Sequence, residues 1–202
     1  MKKLTLVVLV LTALSSCSND ENDVVTQSTT QLTQQEIDDL LFLREEEKLA
    51  RDVYLFSYDK YAETIFNSIS QSEQQHMNSV LTLLNTYGIA DPASSERGVF
   101  KNQTLQSLYN DLTTQSDISL LEALKVGAII EDLDLNDIHE DESNTTKEDI
   151  INVYEKLSCG SRNHLRSYTS QLLSNGENYI PQFISLAEFE EVINSESERC
   201  GY

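Results

Sequence analysis

Hydrophobic positions recur every three or four residues along four long stretches of this chain, which is the period of an α-helix with one buried face. Helix 1 is predicted to begin at a capping box over residues 33–36 and to end near Tyr58. Helix 2 is predicted from about Tyr61 to Tyr87, because Gly88 is a typical residue just past a helix end. No stretch alternates as a strand would, so we predict an all-α fold.

The four predicted helices form two pairs, and an unusually long connection joins the first pair to the second. About thirty residues separate helix 2 from helix 3, whereas most loops are far shorter, and a short helical piece is expected near 105–112. Capping boxes over 119–122 and 145–148 are predicted to begin helices 3 and 4, and a short helix over 186–194 follows. One long crossover is the connectivity of ferritin-like bundles. We therefore predict a ferritin-like four-helix bundle over residues 33–202, with the crossover between helices 2 and 3.

The first 32 residues have a different character from the rest of the chain. A basic start precedes an apolar run over 4–14, which is too short to span a bilayer, and the sequence Leu-Ser-Ser-Cys then ends at Cys17. We interpret residues 1–16 as a lipoprotein signal peptide, Cys17 as the lipidated residue and 17–32 as a disordered tether. The alternative is an ordinary secretory signal followed by an incidental cysteine. The expected location is the bacterial cell envelope, with the protein anchored by its lipid on the periplasmic or the outer surface.

The chain is strongly acidic, with 34 Asp and Glu against 14 Lys and Arg and a net charge of −20. Such a charge argues against nucleic acid as a partner, because binding to phosphates needs clustered basic side chains. Solubility explains most of the acidic residues, but it does not explain those that lie on apolar helix faces.

Two cysteines remain besides Cys17. An exported chain permits a disulfide between Cys159 and Cys200, but two free thiols are equally compatible with the sequence. The chain has no pair of cysteines separated by two residues, which excludes a rubredoxin-like iron site.

Charged and imidazole side chains interrupt the apolar faces of all four predicted helices. Glu73 and His76 are three residues apart and therefore share one helix face. Each of the other three helices carries at least one such residue on its apolar face. Buried carboxylates are costly unless a cation neutralises them, and carboxylate and imidazole groups are common ligands of metal ions. The six predicted metal ligands are Glu47, Glu73, His76, Glu131, Asp134 and His164.

Several of these residues also have simpler explanations. Glu47 follows Glu45 and Glu46, and such a run is often a solvated surface. The third histidine, His139, is interpreted as a surface residue because acidic residues surround it. Two tyrosines, Tyr54 and Tyr168, lie one turn from predicted ligands; core packing is the default for both, and a hydrogen bond to a ligand is the functional alternative.

Three segments resemble the rubrerythrins. Residues 47–54 resemble their first iron-binding helix, with its E-x-x-A-R-x-x-Y pattern, residues 69–76 resemble the second, and residues 131–134 are similar to the third. More closely, residues 40–173 resemble an uncharacterised bacterial and archaeal ferritin-like family. The resemblance implies a centre of two iron ions, or of iron and manganese.

One residue departs from the rubrerythrin pattern. That pattern has a bridging Glu three residues before His164, where this chain has Ser161. The resemblance therefore leaves three arrangements open: Asp134 compensates, water fills the position, or the site holds a single ion.

The resemblance implies redox chemistry, namely reduction of dioxygen or peroxide or oxidation of ferrous iron. Such an enzyme would need an external electron donor, because the chain lacks the cysteine pairs of a built-in electron-transfer site. Two alternatives are a non-enzymatic metal-binding or scavenging lipoprotein and a metal-free helical interaction module. The sequence leaves the oligomeric state open, with a homodimer as one candidate.

Overall fold

The computed structural model describes residues 31–201, which form six α-helices and, within that range, no strand. The prediction of an all-helical chain is confirmed, and the predicted helices 1 to 4 are α1, α2, α4 and α5. The predicted signal peptide, Cys17 and nearly all of the predicted tether lie outside the described residues. No helix in the described range combines the length and the apolar character needed to cross a bilayer. The helices are α1 (Gln34–Tyr61), α2 (Thr64–Thr86), α3 (Gln103–Ser116), α4 (Leu120–Ser143), α5 (Glu148–Ser174) and α6 (Leu186–Asn194).

The four long helices pack side by side in antiparallel pairs. Helix α1 packs mainly on α2 and α4 mainly on α5, while α1 also contacts α4 and α2 contacts α5. The Tyr87 hydroxyl, for example, donates to Asp149 and joins the end of α2 to the start of α5. Helix α3 lies in the crossover and packs on α1 and α4. Two hydrophobic clusters result, one around Val53 and Tyr168 and the other around Leu43 and Leu157.

Most of the predicted helix ends are confirmed. Thr33 forms a full capping box, and the hydroxyls of Ser119 and Ser185 accept hydrogen bonds from the third backbone N–H of their helices. Gly88 has a φ of 69°, and the following residue donates its N–H to the carbonyl oxygen of Leu84 over 2.8 Å. This geometry closes the end of α2, and a left-handed φ is accessible to glycine at little cost.

The capping box predicted over residues 145–148 is wrong. Helix α5 begins only at Glu148, and its N-cap is Lys147, which has no side-chain capping bond. The Thr145 hydroxyl instead donates to the carboxylate of Glu36 over 2.6 Å. This hydrogen bond connects the turn between α4 and α5 to the start of α1.

The acidic run on α1 is buried, so its interpretation as a solvated surface does not hold. Glu45 is 3% exposed, and its two carboxylate oxygens accept the backbone N–H groups of Lys101 and Asn102. Asp52, two turns further along the same face of α1, accepts the N–H of Gly98 and binds the ammonium group of Lys48. These carboxylates fix the long crossover to α1, and each one satisfies hydrogen-bond donors that the crossover would otherwise bury unpaired.

A disulfide joins Cys159 of α5 to Cys200 in the C-terminal tail, which resolves the alternative left open by the sequence. The same tail is held by Glu198, which accepts hydrogen bonds from Arg162 and Arg166. The bond closes a loop of 41 residues and fastens α6 and the tail to α5.

Replacing Cys159 and Cys200 together by serine should lower the free energy of unfolding by about 4 kcal/mol, because the crosslink restricts the unfolded chain. Urea unfolding of both proteins measures the difference, and dithiothreitol should have the same effect on the wild-type chain alone. Equal urea midpoints for the two proteins would contradict this expectation.

Candidate metal centre

Five of the six predicted ligands meet between the two hydrophobic clusters. Each lies on a long helix: Glu47 on α1, Glu73 and His76 on α2, Glu131 on α4 and His164 on α5. Four of them are at most 1% exposed, and His164 is 8% exposed. They form two groups of three, in each of which the ligand atoms lie within 4.8 Å of one another. The shared residue is Glu73, because it belongs to both groups.

The Glu73 carboxylate has one oxygen for each group. Nδ1 of His76 lies 2.8 Å from Oε2 of Glu73, and Nδ1 of His164 lies 2.8 Å from its Oε1. The outer carboxylates complete the groups, with Glu47 3.1 Å from His76 and Glu131 3.3 Å from His164. Two neighbouring ligand atoms bound at about 2.1 Å to one octahedral ion are separated by about 3 Å. The distances therefore fit two neighbouring cations that share Glu73.

The pKa shifts of these side chains also show that the centre favours a positive charge. Burial raises the pKa of Glu47 to about 7, although His76 acts in the opposite direction. Burial would raise the pKa of Glu73 too, but His164 and His76 hold it below its ordinary value. The pKa of His164 rises to about 10, because Glu73 and Glu131 outweigh the effect of its burial. The carboxylates thus hold protons on the two imidazoles when no other cation is present.

Two buried oxygens in the centre lack a hydrogen-bond partner. They are Oε1 of Glu47 and Oε1 of Glu73, although the latter lies 2.8 Å from Nδ1 of His164, and such a condition costs about 1–3 kcal/mol for each group. In the described part of the chain, no lysine or arginine forms an ion pair with the five converging residues. A metal ion would replace the imidazole protons as the positive charge of the centre and would satisfy these two oxygens.

The sixth predicted ligand, Asp134, lies beside the centre but in neither group. Its carboxylate is 6% exposed and accepts a hydrogen bond from the hydroxyl of Ser161. Burial and the negative charges of Glu47 and Glu131 raise its pKa well above the ordinary value. The carboxylate of Asp134 therefore contacts the residue that replaces the bridging Glu of the rubrerythrin pattern.

Hydrogen bonds from outside the two groups orient two of the ligands. The Tyr54 hydroxyl donates to Oε1 of Glu131 over 2.5 Å. Of the two roles that the sequence left open for Tyr54, the hydrogen bond to a predicted ligand is therefore present. The Tyr54 ring lies 5.4 Å from that of Tyr168, and Tyr168 packs so closely on Gly127 that a Cβ there would lie 2.4 Å from the ring. The other imidazole nitrogen of His164 lies 3.0 Å from the Ser72 hydroxyl.

The roles of Ser72 and Ser161 were not predicted. Ser72 does not differ in local sequence from the many serines that only face solvent. Ser161 was marked by its departure from the rubrerythrin pattern, but that departure did not predict its hydrogen bond to Asp134. The third histidine, His139, is exposed and lies 3.3 Å from Glu188, as expected for a surface residue.

Replacing Tyr54 by phenylalanine should weaken metal binding about tenfold at the Glu131 side of the centre, because the carboxylate loses the donor that orients it. Titration of the metal-free protein with Mn²⁺ measures this change. Tyr58→Phe is the matched control, since Tyr58 lies one turn further along α1 and is not in contact with the centre. Equal losses in both variants would mean that Tyr54 only supports packing.

The described residues thus form a helical protein with two groups of buried acidic and imidazole side chains. The sequence profile of the uncharacterised protein domain DUF2202 matches residues 36–196, and the chain belongs to this family. It is similar to the uncharacterised protein MJ0754 of Methanocaldococcus jannaschii, with 48% identity over 169 residues that cover 83% of this chain and 91% of the relative. The crystal structure of the hypothetical protein MJ0754 from Methanococcus jannaschii matches with a TM-score of 0.82, over 83% of this chain and 96% of that one.

Proposed function

We propose that this protein is a ferritin-like four-helix bundle that holds two divalent metal ions between its helices. The sharing of Glu73 between two groups of buried ligands carries this proposal. Each ion would take one imidazole, one outer carboxylate and one oxygen of Glu73. The proposed ligands are Glu47, Glu73, His76, Glu131 and His164, with Asp134 as a neighbouring carboxylate.

The ferritin-like assignment is supported by connectivity and by the order of the ligands. Two antiparallel helix pairs, α1 with α2 and α4 with α5, are joined by one long crossover. Ferritin-like metal proteins place a Glu on each of two helices and a Glu-x-x-His pair on each of the other two. This chain matches that scheme except at Ser161, where Asp134 from the neighbouring helix approaches instead.

The ligand set favours iron or manganese, because mixed carboxylate and imidazole sites in such bundles bind these metals. An iron pair, or an iron–manganese pair, would supply electrons to dioxygen or peroxide when it is reduced. In ferrous oxidation, ferrous ions held by the same residues would be the electron donors, and dioxygen or peroxide would be the acceptor. The protein would exclude bulk water by burial, and Tyr54 would hold Glu131 in place. Turnover would need an external electron donor, since the chain has no cysteine pair suited to an electron-transfer site.

Anaerobic titration of the metal-free protein with Fe²⁺ tests the proposal. We expect uptake of two ions per chain and release of protons at pH 7, because the pKa of His164 rises to about 10, that of His76 is also raised by Glu73 and Glu47, and metal binding displaces protons from the imidazoles. Affinity should therefore fall as the pH is lowered. A protein that binds neither Fe²⁺ nor Mn²⁺ would contradict the proposal and would favour the metal-free interaction module.

The second candidate is a non-enzymatic protein that binds or scavenges metal. Ser161 favours it, because the replacement of a bridging carboxylate lowers the negative charge available to stabilise oxidised ions. Steady reduction of peroxide by the iron-loaded protein with a supplied reductant would support the enzyme. Binding of two ions without turnover would support scavenging.

The proposed location rests on the sequence of residues 1–17. A lipid on Cys17 would anchor the domain to an envelope membrane through the residues that follow it. Incorporation of labelled palmitate into the wild-type protein, and its loss in Cys17→Ser, tests this point. Secretion of the wild-type chain without label would favour the ordinary secretory signal.

A further inference from the structure

A second row of carboxylates runs along the interface of α1 and α4, next to the candidate metal centre. On α4, Asp137 and Asp141 follow Asp134 at spacings of three and four residues, so the three share one helix face. Glu46 and Asp39 of α1 lie seven residues apart and face the same interface. The helices are antiparallel here, because Asp39 near the start of α1 accepts a hydrogen bond from Asn144 at the end of α4.

Glu46 is the member of this row that has no obvious structural purpose. It is 3% exposed, and neither of its carboxylate oxygens has a basic or backbone donor; its hydrogen-bonding neighbour is another acid, Asp137. Other buried acids nearby are satisfied: Glu45 binds two backbone N–H groups and Asp52 binds Lys48. The neighbours of the Glu46 carboxyl group are negative instead, with Asp137 adjacent to it and Asp134 and Glu47 within electrostatic range. Such a group is destabilising in its charged form unless a proton or a metal cation neutralises it, and a metal cation could take the place of the proton.

The exposure of the row increases away from the centre. Glu46 and Asp134 are buried, whereas Asp137 and Asp141 are half-buried. Burial and the charges of Asp39 and Asp137 raise the pKa of Asp141 to about 7, which reflects how closely these carboxylates approach one another. The row therefore leads from solvent, at the end of α4, to the Glu47 side of the centre.

We propose that Glu46 and Asp137 form a loading site, through which a divalent metal ion passes from the Asp141 end of the α1–α4 interface to the centre. This inference rests on the proposed metal-binding function. Carboxylate oxygens suit hard divalent cations, and a pair of them beside Asp134 offers an ion a sequence of oxygen ligands. In the described range, no group of three such side chains with converging ligand atoms occurs here, so the ion would pass through and would not remain.

A metal ion could also reach the centre by a shorter path past His164, on the opposite face, but the side chains there carry no negative charge. His164 is the most exposed of the five converging residues, and its neighbour at that surface is the neutral hydroxyl of Ser72. A hydrated dication would meet an imidazole edge and a hydroxyl there, whereas the Asp141 end offers negative charges. Negative clefts concentrate cations and raise their rate of binding, which favours entry along the carboxylate row.

Stopped-flow measurement of Fe²⁺ uptake by the metal-free full chain tests the loading site. Glu46→Gln and Asp137→Asn keep the shape of each side chain but remove its charge. Each should slow uptake about tenfold, in line with the effect of focused charge on association rates, while the final content stays at two ions per chain. The double variant should be little slower than either single one, because the two carboxylates act together. Glu155→Gln, an exposed acid on α5, is the matched control and should load at the wild-type rate.

The outcomes separate this proposal from the one on which it rests. Wild-type uptake of two ions, together with unchanged rates in Glu46→Gln and Asp137→Asn, would overturn the loading site alone. Loss of one bound ion in Glu46→Gln would also overturn it, because Glu46 would then be a permanent ligand. A wild-type protein that takes up no metal would overturn both proposals. Circular dichroism of each variant confirms that a slow rate does not come from misfolding.

Discussion

Glu73→Gln should reduce the metal content of the protein from two ions per chain to nearly none. Each oxygen of Glu73 lies 2.8 Å from the ligand nitrogen of a different imidazole, so one substitution damages both groups. Glutamine keeps the size of the side chain but removes its charge and one oxygen ligand. Glu47→Gln and Glu131→Gln each affect one group only and should leave about one ion bound.

Elemental analysis of iron-loaded proteins measures these differences. The three histidines provide a second set of variants with an internal control: His76→Ala and His164→Ala should each lose metal, and His139→Ala should keep both ions because His139 is exposed and far from the groups. Full metal content in Glu73→Gln would show that the carboxylate is not shared. Equal losses in all three histidine variants would point to unfolding and not to lost ligands.

The helices and most of the ligand positions could be predicted because both depend on local spacing. A helix places residues three and four apart on one face, so Glu73 and His76 converge wherever that helix forms. The apolar faces of the other helices then pointed Glu47, Glu131 and His164 toward the same interior. These side chains come together as soon as the apolar faces of the four helices pack against one another.

The structure departs from the predictions where a polar residue has a distant partner. The hydroxyl of Thr145 looked like a helix cap, but it binds Glu36, 109 residues away along the chain. Glu45 and Glu46 looked like a charged surface, yet one fastens the crossover and the other lies without a basic or backbone donor beside Asp137. Acidic residues with these different roles have the same side chains, and only their tertiary neighbours distinguish them.

The buried carboxylate of Asp132 shows this most clearly, and its replacement by alanine should lower the free energy of unfolding by about 3–5 kcal/mol. Asp132 is fully buried and accepts four hydrogen bonds from the segment that follows α5. The donors are the hydroxyl of Tyr179 and the backbone N–H groups of Gln182, Phe183 and Ile184. Alanine would leave these donors without their acceptor, and the segment leads directly into α6.

Urea unfolding of the metal-free proteins isolates this effect from metal binding at the neighbouring Glu131. Tyr179→Phe removes only one of the four hydrogen bonds and should cost about 1 kcal/mol. Asp111→Ala, an exposed acid on α3, controls for the change in charge and should alter stability by less than about 0.5 kcal/mol. A loss in Asp132→Ala no larger than in Tyr179→Phe would mean that the backbone N–H groups find water instead. Buried carboxylates that stabilise the fold would then explain fewer of the acidic residues of this chain than the contacts of Asp132, Glu45 and Asp52 imply.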